Sequence, residues 1–226
     1  RLEELEKIFS HWRPDAELHQ FNSNLTTSPF IMHPELLELL RHSQWMRKET
    51  GGAFDPTIAS VVNLWGFGPV GKTRSTIPSD DQIEQAMTLT GLDKLEILPK
   101  GMVRKKVPTI QLDFSASAKG EIIDQICKLL ERWGFSNYLV EIGGEIRAEG
   151  KGRKGKGWVV GLEDGRTKNA EGIASVPLRN YAVATSGSYR LTKPNPDSNR
   201  SASHLIDPRT GRPIEHDLIA VNAFAP

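Results

Sequence analysis

Cysteine is almost absent. Cys127 is the single one among 226 residues, so no intrachain disulfide can form, and its place on an apolar helical stripe suits a core thiol better than a nucleophile. Charge of one sign is missing too. Lys plus Arg number 29 against 28 Asp plus Glu, a formal +1, and so even a balance calls for neither nucleic acid nor an anionic membrane as partner. No apolar run is long enough to span a bilayer, no signal-peptide pattern starts at Arg1, and neither an internal repeat nor zinc-type Cys/His spacing occurs. What is there is an ordinary globular composition, 38% hydrophobic and 25% charged, with enough chain for a real core and a single domain as the first expectation. The chain opens directly on a helix and stops within an apolar segment, so residues 1–226 are expected to be trimmed at both ends.

The densest stretch is 109–150. Ile110, Leu112 and Phe114 alternate with Gln111, Asp113 and Ser115, the period of a half-buried strand, which leaves a carboxylate near its end. From Glu121 the period lengthens. Ile122, Ile126, Leu129 and Trp133 form one stripe, with Ile123, Cys127 and Leu130 beside it, and Gly134 closes the helix. Between strand and helix, Ser115-Ala116-Ser117-Ala118 either caps the helix or lets an anion reach free helix-start amides. Asp113, Lys119 and the Gly143-Gly144 pair, flanked by Glu141 and Glu145, keep the second reading open; paired glycines within a strand mark a bulge or a close approach.

Elsewhere, helical spacing predicts a first helix to about Trp12, then turn and loop to Phe30, and a second helix from His33-Pro34 to Gly51-Gly52. Asp55, just past that helix, reads as a turn residue or as part of a site. Ser79 caps a third helix, and a hairpin turns about Pro99-Lys100-Gly101. Gly66 to Thr73 fits the spacing of a nucleotide-hydrolase phosphate loop, but Pro69 removes an amide and Pro78 stands where its helix belongs. The basic glycine loop from Lys151 to Gly157 is a solvated hairpin tip or a dock for an anion. Strands are expected at Trp158 to Leu162, Ser175 to Ala184 and Leu218 to Phe224, with a tight turn at Asp207-Pro208-Arg209-Thr210-Gly211. His204, between a polar loop and Ile206, satisfies hydrogen bonds or acts as a base. The architecture expected is α+β, with mixed, mainly antiparallel sheet packed against helices.

Five motifs occur in order: GAFDPTI with NLWGFGP, LDFSASAKG, YLVEIGGEIRAEG, AVATSG, and SHLIDPRTGRPI. Together, and with WRPDAELHQFN from Trp12 onward, they resemble the FAD:protein FMN transferases, the ApbE-type flavin transferases. The resemblance implies a T-fold-like pairing of related halves around a flavin site. It also implies an enzyme that cleaves FAD, transfers FMN to a threonine of a partner protein and releases AMP with magnesium. Flavin contacts would fall on Trp12, Ala53, Phe54, Asp55, Asp113, Lys119 and Ile206. The Ala116 carbonyl would hold magnesium, and His204 would be the base. The family's remaining magnesium ligands, an aspartate and a threonine, would lie past Pro226, and its Met-Gly-Thr flavin contact before Arg1. The implied partner is a flavin-acceptor subunit of a membrane redox complex. The implied location is the periplasmic side of the bacterial inner membrane, with a lipid anchor ahead of Arg1. A flavin-binding protein that transfers nothing, and an FAD pyrophosphatase releasing FMN and AMP, are the alternatives.

Overall fold

The computed structural model describes residues 1–70, 76–163, 165, 172–194 and 201–226. The chain forms two compact units, one of Arg1–Ala116 with Lys193–Ile214, the other of Ser117–Thr192 with Glu215–Pro226. Both mix helix with antiparallel strand, as the sequence pattern predicts.

In the first unit, helix α1 (Leu2–Phe9) buries Leu5, Ile8 and Phe9. It stops short of Trp12 because Ser10 turns to extended backbone and its hydroxyl accepts the N–H groups of Trp12 and Arg13. A short helix, α2 (Glu17–Ser23), occupies the segment expected to be loop. Only Leu18, Phe21 and Asn22 are buried on it, too brief an apolar pattern to register as a period. Strand β1 (Phe30–Ile31) precedes helix α3 (Pro34–Glu49), which carries proline at its first position and buries Leu36, Leu37, Leu39 and Leu40. Helix α4 (Ala59–Leu64) was not expected. Helix α5 (Asp80–Met87) starts in a capping box, with Gln82 N–H donating to Ser79 Oγ while Gln82 Oε1 accepts from Ser79 N–H. Of the phosphate-loop match, Gly71, Lys72 and Thr73 lie outside the described residues.

Strands β2 (Leu95–Leu98) and β3 (Met102–Lys105) form the expected hairpin, turned through positive φ at Lys100 and Gly101, and β1 pairs with β3 to give the order β1-β3-β2 among the described residues. Lys105 faces inward and is 2% exposed. Its Nζ donates to the carbonyls of Asn24 at 2.8 Å and Pro108 at 3.4 Å and stands 4.6 Å from the centre of the Phe21 ring. Burial pushes the ammonium pKa down to about 8. In the unfolded chain it titrates near 10.4, so between these values only the unfolded state holds the proton, and stability rises with pH. The expected gain, on the order of 3 kcal/mol from pH 7.5 to 10.5, is read by urea unfolding at stepped pH. Lys105→Met should lack it, and parallel profiles for the two proteins would remove the buried cation as its cause.

In the second unit, helix α6 (Ala118–Arg132) precedes strands β4 (Tyr138–Ile142), β5 (Glu145–Glu149), β6 (Trp158–Glu163), β7 (Gly172–Leu178), β8 (Tyr181–Gly187) and β9 (Ala220–Ala225). Among the described residues, one antiparallel sheet runs β9-β8-β5-β4 and another pairs β6 with β7. Two expectations change here. Gly143 and Gly144, with φ of 59° and 99°, do not sit inside a strand but form the two-residue turn that sets Ile142 opposite Glu145; paired positive φ is what such a turn demands. The strand expected from Ser175 to Ala184 breaks at Arg179-Asn180, where Asn180 takes φ of 56°, and its parts enter different sheets.

The face of α6 is also shifted. Ile123 and Cys127 are the buried pair, packed with Tyr138 and with Leu130, Val140 and Ile142, whereas Trp133 is 66% exposed. Cys127 is the core thiol its position implies, and burial pushes its pKa up.

Candidate active site

The largest departure from expectation lies in Ile110 to Phe114. Burial alternates as predicted, with Ile110, Leu112 and Phe114 inside, yet the segment joins no sheet. A side chain stands in for the neighbouring strand. Asn22 Oδ1 accepts the Leu112 N–H and Asn22 Nδ2 donates to the Leu112 carbonyl, both at 2.8 Å, while the Asp113 N–H donates to the Pro56 carbonyl at 2.7 Å. A buried amide pair of this kind satisfies backbone groups that would otherwise be orphaned.

Asp113 is thereby fixed in place. Its Oδ1 accepts the Ser115 N–H at 2.8 Å and lies 3.6 Å from His11 Nδ1, with both side chains about nine-tenths buried. His11 in turn packs against Trp12, ring centres 5.5 Å apart, and the Trp12 indole is 47% exposed. A cleft of about 40 Å³, lined in part by His11, His19, Asn22, Gln111 and Asp113, lies beside this group. It holds a few waters at roughly 10–15 Å³ each and is far too small for a flavin ring. Across it Asn63 Nδ2 donates to Gln111 Oε1. A Cβ at Gly68 would run into Asn63 Oδ1, so a larger residue there would have to displace the Asn63 side chain.

Ala53 is exposed, Phe54 half-buried and Asp55 buried. Asp55 caps the one-turn 3₁₀ helix Pro56–Ile58, its Oδ1 accepting from Thr57 N–H at 2.9 Å and Thr57 Oγ1 at 2.5 Å, while its Oδ2 accepts from Arg47 Nε at 2.6 Å. Thr57 Oγ1 also accepts the Gly91 N–H.

The expected turn at Asp207 forms between the paired segments Ile206–Asp207 and Arg212–Pro213. Asp207 accepts from Thr210 and Gly211 N–H through its carbonyl, and the guanidinium of Arg209 holds its carboxyl below the usual range. The Arg209 side chain reaches Gly52, whose Cβ would stand 3.8 Å from its Cγ, and Trp65 Nε1 donates to the Gly211 carbonyl at 2.8 Å. Thus the GAFDPTI, NLWGFGP and SHLIDPRTGRPI motifs meet. Ile206 packs against the buried cluster that holds Ile58, Val61 and Trp65. His204 presents edge-on to Phe67 at 6.3 Å, and Lys193 Nζ sits 5.4 Å from the same ring.

The model of the ApbE family matches residues 1–226. The chain belongs to the ApbE family. An FAD:protein FMN transferase of Haemophilus influenzae is 35% identical over 230 residues, and one of Vibrio cholerae 36% identical over 223; the alignments take in 100% and 99% of this chain and 66% of each relative. The chain thus spans just under two thirds of the length of these curated relatives. Among solved structures, the flavin transferase ApbE from Vibrio cholerae superposes with a TM-score of 0.86 at 34% identity, over 99% of this chain and 70% of that one. The ApbE protein from Thermotoga maritima gives 0.87 at 27%, over 98% and 70%.

Within this ApbE-family chain, the first unit gathers Trp12 with Asp113, and the Ala53 to Asp55 segment with the His204 and Ile206 segment. Ala116 is exposed at the end of that unit, whereas Lys119 belongs to the second, where its Nζ pairs with Glu145 Oε2 at 2.6 Å. Sequence reasoning missed His11, Asn22 and Phe67. Asn22 sits on a helix too short to read, His11 precedes the first recognisable motif, and Phe67 was visible only as part of a motif without a role.

Proposed function

We propose that this chain transfers FMN from FAD to a threonine hydroxyl of a partner protein and releases AMP, with magnesium required. The observation that carries the reading is the meeting in one unit of three sequence-distant motifs, with Arg209 against Gly52 and His204 against Phe67, in a chain matched by the ApbE family throughout. In the proposed step the threonine oxygen attacks the phosphorus that carries FMN. The anhydride bond to AMP breaks, its electron pair leaves on the AMP phosphate, and a ring nitrogen of His204 takes the hydroxyl proton. Holding the three groups in line supplies most of the acceleration, and the base adds the proton transfer.

The flavin contacts proposed are Trp12, Ala53, Phe54, Asp55, Asp113, Lys119 and Ile206. Trp12 is 47% exposed, and Ala53 is exposed with its N–H donated to the Thr50 carbonyl. Ser117 provides no side-chain cap to α6, so the helix-start amides are not claimed by one.

Magnesium takes about six hard oxygens. The turn offers the exposed Ala116 and then Ser117, whose Oγ is buried with no hydrogen-bond partner in the described structure. No group of three or more His, Cys, Asp or Glu suited to a metal occurs among the described residues. These donors make part of a shell, not a whole one, and no step is derived through the ion. The partner proposed is a flavin-acceptor subunit of a membrane redox complex, met on the periplasmic side of the inner membrane with a lipid anchor ahead of Arg1, all on family resemblance. No helix among the described residues is long and apolar enough to cross a membrane.

The test is to incubate the full-length protein with FAD, magnesium and an acceptor domain bearing the threonine, then weigh the acceptor and assay AMP, with a chelator control. The reading predicts an acceptor heavier by one FMN, and AMP only with magnesium. Free FMN with unmodified acceptor would make the protein a pyrophosphatase, and bound FAD with neither product would leave it a flavin-binding protein.

A further inference from the structure

We propose that His11 is a positioning residue that holds the Trp12 indole and the Asp113 carboxylate in one fixed relation, so that the flavin-binding surface is set before FAD arrives. The inference rests on the proposed reading of Trp12 and Asp113 as flavin contacts. Nothing in the sequence pattern marks His11, and its role comes entirely from what surrounds it.

The backbone around His11 is tied down from both sides. Ser10 Oγ accepts the N–H groups of the two residues that follow His11, and the His11 carbonyl accepts from His19 Nδ1 at 3.0 Å. That fixes the backbone, and burial fixes the ring. It is 8% exposed and lies with its Nδ1 3.6 Å from Asp113 Oδ1, and with its face tilted 34° to the Trp12 indole.

Asp113 needs such a neighbour. Its backbone is anchored to Pro56, and its Oδ1 takes the Ser115 N–H, a bond from a single side. His11 Nδ1, 3.6 Å from that same oxygen, packs the carboxylate from a second side, and both side chains are about nine-tenths buried. Burial of the imidazole makes this contact stiff, because close-packed side chains transmit position rather than absorb it. The adjoining cleft, at about 40 Å³, admits water and not a flavin, and His11, 8% exposed behind the 47% exposed Trp12, is placed to act through Trp12 and Asp113. Preorganisation of this kind strengthens binding without changing the chemical step.

The experiment titrates FAD itself, without acceptor, by quenching of flavin fluorescence, and then measures KM for FAD and kcat with acceptor. His11→Leu keeps volume and removes the nitrogen, His11→Phe keeps a ring beside Trp12, and His11→Gln keeps a polar atom toward Asp113. Leu and Phe should raise Kd and KM roughly tenfold, the loss of one contact to a charged group, with kcat retained. Gln should recover most of the affinity, and Asp113→Asn should cost less in the His11→Leu background than alone. Should His11→Leu fail to fold by circular dichroism, Phe against Gln carries the comparison. Native affinity in Leu and Phe, or a fall in kcat alone, overturns the proposal while leaving the flavin reading intact. Native affinity in Trp12→Ala and Asp113→Asn overturns the flavin reading, and the role of His11 falls with it.

Discussion

Replacing His204 with alanine is expected to slow FMN transfer by roughly 10²–10⁴-fold, the usual contribution of a positioned general base, and to leave FAD binding intact. His204 is half-buried beside Phe67 and two residues from Ile206 in a paired segment, so its ring is held by packing rather than left to a mobile loop. The neighbouring backbone is anchored by the Ile214 N–H to the Leu205 carbonyl at 2.9 Å, and alanine leaves that bond unchanged. The cost should therefore fall on kcat, not on stability. Added imidazole should restore part of the rate, because a small base entering the vacated space replaces the proton acceptor but not a structural support. The acceptor's mass, followed over time with and without imidazole, is the readout. Undiminished transfer in His204→Ala would dismiss His204 as the base.

For Asp55→Ala the expected effect is on the fold. The alanine protein should lose about 3 kcal/mol, the combined loss of a cap and of charge-assisted hydrogen bonds to fully buried Thr57. Arg47 adds little to that figure. Its side chain is 43% exposed while Asp55 is 3% exposed, so the guanidinium left behind can turn to water, and such pairs are worth less than about 1 kcal/mol. Melting should fall by roughly 6–12 °C for a chain of this size. Asp55→Asn keeps an acceptor for the Thr57 N–H and should recover most of the loss. FAD affinity then separates two roles. An asparagine protein that is stable yet binds FAD poorly identifies Asp55 as a flavin contact as well as a cap. One that binds normally assigns Asp55 to the cap alone. An alanine protein that melts like the native one would refute the capping account.

Much was legible before the fold was known. The leucine face of α3, its proline start and glycine finish, the capping box at Ser79 and Gln82, the β2-β3 hairpin and the turn at Asp207 are set by residues within four or five positions of one another. Local sterics and local hydrogen bonds decide these, so spacing suffices to read them. Motif order, likewise a property of the string, was enough to indicate the family.

Tertiary structure alone decided who partners whom. Ile110 to Phe114 has a strand's alternation, but the backbone of Leu112 bonds to Asn22 and that of Asp113 to Pro56, because burial on one face does not require a ladder on the edge. Ser175 to Ala184 reads as one strand in the sequence, and only the fold shows the break at Asn180, through its positive φ. The buried stripe of α6 was displaced by one residue toward Ile123 and Cys127, since two adjacent apolar stripes look alike until a sheet covers one. His11 and Asp113 are distant in sequence, and nothing in either's neighbours names the other. Periodicity records which way a side chain faces along its own element; what it faces is settled by chain closure and packing over long separations, and that information exists only in the folded molecule.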